Sequence, residues 1–144
     1  MTRPAGAVLY TPEILQLAVS LADYPFDETA ACTGSARSRT CGSEIEMSSA
    51  RPDRIGSLGI RAKACAIGQA SAAIFAAGAD GATPAAIENA LREIEGWLAG
   101  TGQTPSWPGI AALQPAIAYP ARHAAILLPW KAASSMLCKP GPGR

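Results

Sequence analysis

The chain has 144 residues, which bounds it to about one domain with enough sequence for its own core. Charged residues make up only 16% and the formal net charge is +1, which argues against an electrostatic hold on nucleic acid or an anionic membrane. No uninterrupted apolar run reaches the roughly 18 residues of a membrane span.

The 49% hydrophobic share is carried largely by alanine, so small side chains and close helix approach are expected. Met1 to Leu9 lacks the long apolar core of a secretory signal. That predicts a cytoplasmic protein, where thiols stay reduced. Its four cysteines, at 32, 41, 65 and 138, are then metal-binding, sulfur-transferring or inert thiols before they are disulfides. None forms a CxxC pair, which excludes a zinc ribbon on spacing.

Thr11-Pro12-Glu13 reads as a helix start: a hydroxyl cap, proline at the first position and an early acid. Ile14, Leu17, Ala18 and Leu21 then follow the i, i+3, i+4, i+7 rule, and the helix should stop by Asp23-Tyr24-Pro25. Residues 26–40 look irregular, with Thr33-Gly34-Ser35 as a turn and a short edge strand over 36–40. Ser43 to Ser48 alternates strictly, Arg51-Pro52-Asp53 is a turn, and Arg54 to Lys63 is the next strand. Together they predict an antiparallel hairpin whose wet face carries Glu44, Glu46, Arg61 and Lys63.

A tightly packed helix of small residues should run from Cys65 to Ala77 and end at Gly78. Thr83-Pro84 opens another with the stripe Ile87, Leu91, Ile94, Leu98, and Gly100 closes it. Pro105 and Pro108 bracket Trp107 and restrict it, so it should pack as an anchor; 110–113 allows one helical turn. A last helix starts near Pro120 and contains Pro129, which removes one backbone bond and should bend it. Residues 139–144 read as a disordered tail behind a single domain over 1–138. The order of elements predicts an α+β fold, a small antiparallel sheet with helices packed on one face.

Two cysteines stand out. Cys65 sits where a strand hands over to a helix N-terminus, whose partial positive charge lowers a thiol pKa. The other reading of Cys65 is a small buried hydrophobe. Cys41 precedes the hairpin that Cys65 follows, and antiparallel pairing brings such ends together. Two thiols would then meet at one end of the sheet, and zinc, which prefers four ligands, would need others. His123 is a candidate neutral imidazole ligand or, alternatively, a surface or capping residue. Cys32, nine residues before Cys41 in a loop that looks flexible, is a candidate replacement thiol or an inert one.

Three segments resemble the U-type iron–sulfur cluster assembly scaffolds, the IscU/SufU group similar to the NifU N-terminal domain. They are Thr40-Cys41-Gly42-Ser43, Lys63-Ala64-Cys65-Ala66-Ile67-Gly68-Gln69, and Arg122-His123-Ala124-Ala125 through Trp130-Lys131-Ala132. The resemblance covers most of the chain, and the long stretch after Cys65 is closer to the SufU branch. It implies a SufE/NifU-like α+β scaffold that holds iron or a nascent iron–sulfur cluster, or alternatively zinc, on three cysteines and an aspartate. It also implies a cysteine desulfurase and iron–sulfur client proteins as partners. Here Ser43 stands at the aspartate position and Ala125 at the third cysteine, so only Cys41 and Cys65 carry over. His123 lies two residues before Ala125, a turn of about 200° on a helix.

The expectation is an assembly scaffold or sulfur acceptor, with Cys41 as the sulfur acceptor, Cys41 and Cys65 as ligands, and His123 as a further donor. It is a non-enzymatic scaffold before it is a sulfurtransferase, and a cluster shared between two chains would make it a homodimer. The alternative is a degenerate, metal-free adaptor that binds a desulfurase or a client.

Overall fold

The computed structural model describes residues 10–40 and 42–137; Cys41, Cys138 and the tail expected at 139–144 lie outside the described residues. Helix α1 spans Pro12–Ser20 and a 3-10 turn, Leu21–Asp23, extends it. Thr11 Oγ1 accepts from Ile14 N at 3.1 Å, the cap that Thr-Pro-Glu announces. Strands β1 (Cys32–Arg37), β2 (Glu44–Ser49) and β3 (Gly59–Lys63) follow. They form one antiparallel sheet in the order β1-β2-β3. Helices α2 (Ala66–Gly78) and α3 (Pro84–Leu98) come next, then 3-10 segments at Ile110–Ala118 and Pro120–Arg122, and finally α4 (His123–Met136).

The α+β class holds, and so does the hairpin. β2 points Ile45 and Met47 into the core, both fully buried, and turns Glu44 and Glu46 outward. α4 lies against β1 and β2, while α2 packs on β3, α4 and α1. The helices thus cover one face of the sheet, and the other carries Glu44↔Lys63 and Glu46↔Arg61 pairs in the expected register. Among the described residues no helix is long and apolar enough to cross a membrane.

Trp107 is the expected anchor. It stacks on Phe75 at 5.3 Å and 10°, meets Trp130 edge-on, and donates from Nε1 to the Ile74 carbonyl at 3.0 Å. Thr83 caps α3 through Ala86 N, and Ile87, Ile94 and Leu98 are buried while Leu91 is only partly so.

Several boundaries differ from those expected: the edge strand runs Cys32–Arg37 and not 36–40, and the last α-helix begins at His123, after a 3-10 turn at Pro120–Arg122. Thr33-Gly34-Ser35 is not a turn but the middle of β1. A Cβ on Gly34 would lie 2.6 Å from the Met136 backbone, so the glycine is there to let α4 approach, and Ser35 N donates to Ser135 Oγ at 3.3 Å. β3 begins at Gly59, not Arg54. The backbone of the preceding residues is committed elsewhere: Ala50 N bonds Gly56 O at 2.7 Å, and Ile55 N bonds Ala82 O at 2.9 Å. The buried Ser49 hydroxyl closes this loop, donating to Arg51 O at 2.9 Å and accepting from Gly56 N at 3.1 Å. The single turn expected at 110–113 is a nine-residue 3-10 segment that continues through Pro115.

Candidate functional site

β3 ends at Lys63, and two residues later Cys65 is the N-cap of α2, with extended backbone at φ −66° and ψ 170°. Its carbonyl accepts from Gln69 N at 2.9 Å, while its side chain makes no capping bond. The half-buried thiol is free. Gln69 Nε2 donates to the Ala64 carbonyl at 2.9 Å and ties the strand exit to the first turn of the helix. The strand-to-helix junction read from the alternation before Cys65 is therefore present.

The Cys65 end of the sheet is also where β1 connects to β2. Lys63 pairs with Glu44, and Glu44 with Arg37. The connection closes on itself: Ser38 N donates to Ser43 O at 2.8 Å and Gly42 N donates to Ser38 O at 3.0 Å. Gly42 has φ +73°, a conformation that suits glycine. Cys41 itself lies outside the described residues; its neighbours Thr40 and Gly42 belong to this connection. Ser43, at the end of the connection, is buried.

The helix on the other side of Cys65 is α4. A Cβ placed on Gly68, in the first turn of α2, would be 2.8 Å from the Ala64 Cβ and 3.5 Å from the Ala125 Cβ. Ala125 is thus fully buried against the turn that Cys65 caps. One turn further along α2, the buried Ser71 hydroxyl donates to the Ile126 carbonyl at 2.7 Å. Ser71 ties the two helices together, and Gly68, one of the small residues of α2, leaves room for Ala64 at the entry to the helix. The available signal was a glycine inside a helix, where alanine is more favourable by about 1 kcal/mol unless something approaches closely.

His123 opens α4, and its Nε2 is 2.9 Å from the Ile117 carbonyl. A carbonyl only accepts, so Nε2 carries the proton, and a neutral ring has Nδ1 as its lone-pair atom. Arg122 Nη2 donates to the Tyr10 hydroxyl at 3.2 Å, which ties the start of α4 to the residue before the Thr11 cap. Cys32 is not on a flexible approach. It begins β1, paired with Ser49, five residues from Arg37 and so about 17 Å along the strand from the Cys65 end.

The exposed sheet face beside the site is a lattice of ion pairs. Arg61 Nε bonds Glu46 Oε1 at 2.8 Å, and this hydrogen bond holds the Glu46 carboxyl below its ordinary pKa. Arg37 approaches Glu44 at 3.7 Å. Among the described residues no group of three or more His, Cys, Asp or Glu is placed to hold a metal ion. A groove of about 880 Å³ lies elsewhere, between Thr11–Glu13 and the 3-10 segment, and no cysteine or histidine lines it.

The chain thus presents a three-stranded antiparallel sheet backed by α2 and α4, with a cysteine where the last strand enters α2. The comparisons with solved structures agree. Over 91% of this chain and 93% of the other, the structure is similar to the N-terminal part of a nitrogen-fixing NifU-like protein from Brucella abortus, with a TM-score of 0.80 and 25% identity. It is also similar to a protein from the thermophile Fervidobacterium islandicum described as an iron–sulfur cluster assembly scaffold for the SUF system. That match has a TM-score of 0.76 and 23% identity over 86% of this chain and 93% of that one. No family model and no curated protein sequence matches the chain. The resemblance to U-type scaffolds carried by the three sequence segments is therefore borne out at the level of structure.

Proposed function

We propose that this chain acts in iron–sulfur cluster assembly, receiving sulfane sulfur, iron or a nascent cluster as cargo at Cys41 and Cys65. The observation that carries this reading is the free, half-buried Cys65 thiol at the N-cap of α2. It stands at the sheet end where Gly42 and Ser43 lead into β2. A thiolate is the form that attacks sulfur or binds metal.

In this reading Cys41 is the sulfur acceptor. Its thiolate attacks the outer sulfur of a persulfide on a cysteine desulfurase; the new S–S bond leaves a persulfide on Cys41 and releases the desulfurase thiolate. Cys65 is the fixed ligand that helps hold what arrives, and His123 is a further donor through Nδ1. Zinc is the alternative ion. The setting is the reducing cytoplasm, and the products go to iron–sulfur client proteins, from a monomer or a homodimer.

The second reading is a metal-free adaptor that binds a desulfurase or a client. It is favoured by the buried methyl of Ala125 on the α4 side of the site.

Separate Cys41→Ser and Cys65→Ser variants test the proposal, each incubated anaerobically with a cysteine desulfurase and cysteine. Mass spectrometry of the trapped thiols should find the added sulfur on Cys41 in the native chain and lose it in Cys41→Ser. Iron uptake should fall in both variants. If neither substitution changes sulfur or iron uptake, the site is wrong and the adaptor reading stands.

A further inference from the structure

We propose that the groove beside the N-terminus of α1, together with the outer side of that helix, is a docking surface for a partner-protein segment that is apolar on one side and carries a lysine or arginine. No cysteine lines this surface, so the inference does not rest on what the thiols do.

α1 is apolar on two sides. Ile14 and Leu17 face the core. Pro12, Leu15 and Val19 lie on the opposite side, within about 60° of one another at 3.6 residues per turn. Leu15 and Val19, 48% and 76% exposed, are the large apolar side chains left open among the described residues. A surface helix ordinarily needs only the apolar side that meets its own core, and a second apolar side that continues into a groove marks a contact with another molecule.

The stripe does continue into a groove, because Pro12 belongs to both. The facing wall is Ala111, Ala112, Pro115 and Ala118 of the 3-10 segment, short side chains that leave room for longer ones from outside. The groove's volume of about 880 Å³ is that of a site that encloses several side chains.

Charge selects the occupant. Glu13 is the one charged residue that lines the groove and the one charged residue of α1. No ion pair of the described residues includes it. Arg122, at the start of α4, is tied to the Tyr10 hydroxyl instead. A second copy of this chain would bring the same face and the same carboxylate, with no base to meet it. An anionic lipid surface would meet it with like charge. A basic amphipathic segment satisfies both halves of the surface. Its apolar side chains fill the groove and cover Leu15 and Val19, while its ammonium or guanidinium group meets Glu13.

Two fluorescent amphipathic peptides test this, one of leucine and lysine and one of leucine and glutamate. Each is titrated against the full native chain and read by anisotropy. The native chain should prefer the leucine/lysine peptide by about fivefold, the upper range for one exposed charge pair, and Glu13→Lys should reverse the preference. Leu15→Gln and Val19→Gln should each weaken the leucine/lysine peptide by about fivefold or more, as loss of an apolar anchor does, and leave the charge preference in place.

A native chain that binds neither peptide overturns the proposal. So does equal affinity for the two, a preference that survives Glu13→Lys, or binding indifferent to Leu15 and Val19. Sedimentation that finds a dimer lost in Val19→Gln assigns the surface to a second copy and overturns it as well. If a variant lacks native circular dichroism, the preference of the native chain decides alone.

Discussion

At the scale of single residues, the absence of a side chain does as much as its presence. Gly34 lets α4 lie directly on β1, because a Cβ there would sit 2.6 Å from the Met136 backbone. Backbone cannot swing aside as a flexible side chain can. Gly34→Ala should therefore destabilise the fold by about 1–3 kcal/mol, the range for overpacking a filled interior. The urea midpoint at neutral pH measures this, and an unchanged midpoint would mean that the contact is loose. At Gly68 the tight approach is local: a Cβ would lie 2.8 Å from the Ala64 Cβ at the entry to α2, while Ala125 on α4 would be at ordinary contact distance. Such glycines look alike in sequence, and Thr33-Gly34-Ser35 has turn composition. Only the helix that arrives from a hundred residues later makes that segment a strand.

At the scale of elements, the hairpin was legible because alternation fixes which face each side chain takes. Glu46 opposite Arg61 follows from the register once Met47 and Ile45 are buried. The Arg61 hydrogen bond holds Glu46 below its ordinary pKa, as the Thr29 hydroxyl does for Asp27 and Arg51 does for Asp53. A carboxylate lowered in the native state stabilises the fold fully above its unfolded pKa, and that contribution disappears as pH falls through the lowered native value. The pair is solvent-exposed, so the effect is small. The urea midpoint should fall on acidification below the ordinary glutamate range, and Glu46→Gln should flatten part of that slope while leaving the neutral region nearly unchanged. An identical slope in the variant would show that the pair contributes nothing.

At the scale of the whole molecule, α4 is the member that touches most of the rest. It packs on β1, β2, α2 and α3 and buries Ala125, Ile126, Leu128, Trp130, Ala132, Ala133 and Met136. α1 has one packed side and leaves Leu15 48% and Val19 76% exposed. Amide exchange should accordingly be slowest in the centre of α4 and in β2, near the global unfolding limit, and faster in α1. Equal protection in α1 and α4 would overturn that ordering.

The sequence by itself determined the caps at Thr11 and Thr83, the alternating hairpin, the anchoring tryptophan and the junction at Cys65. Each depends on residues close together in the chain or on a periodicity that one face of an element must satisfy. It also showed through resemblance that Ser43 and Ala125 stand where ligands were expected. Tertiary structure alone decided that Cys32 belongs to the far end of the sheet, that the ring of His123 is tied to Ile117, and that Ala125 closes the α4 side of the Cys65 turn. Those facts depend on which distant backbone approaches which, and that choice is made by packing, where a missing methyl at Gly34 counts as much as any motif.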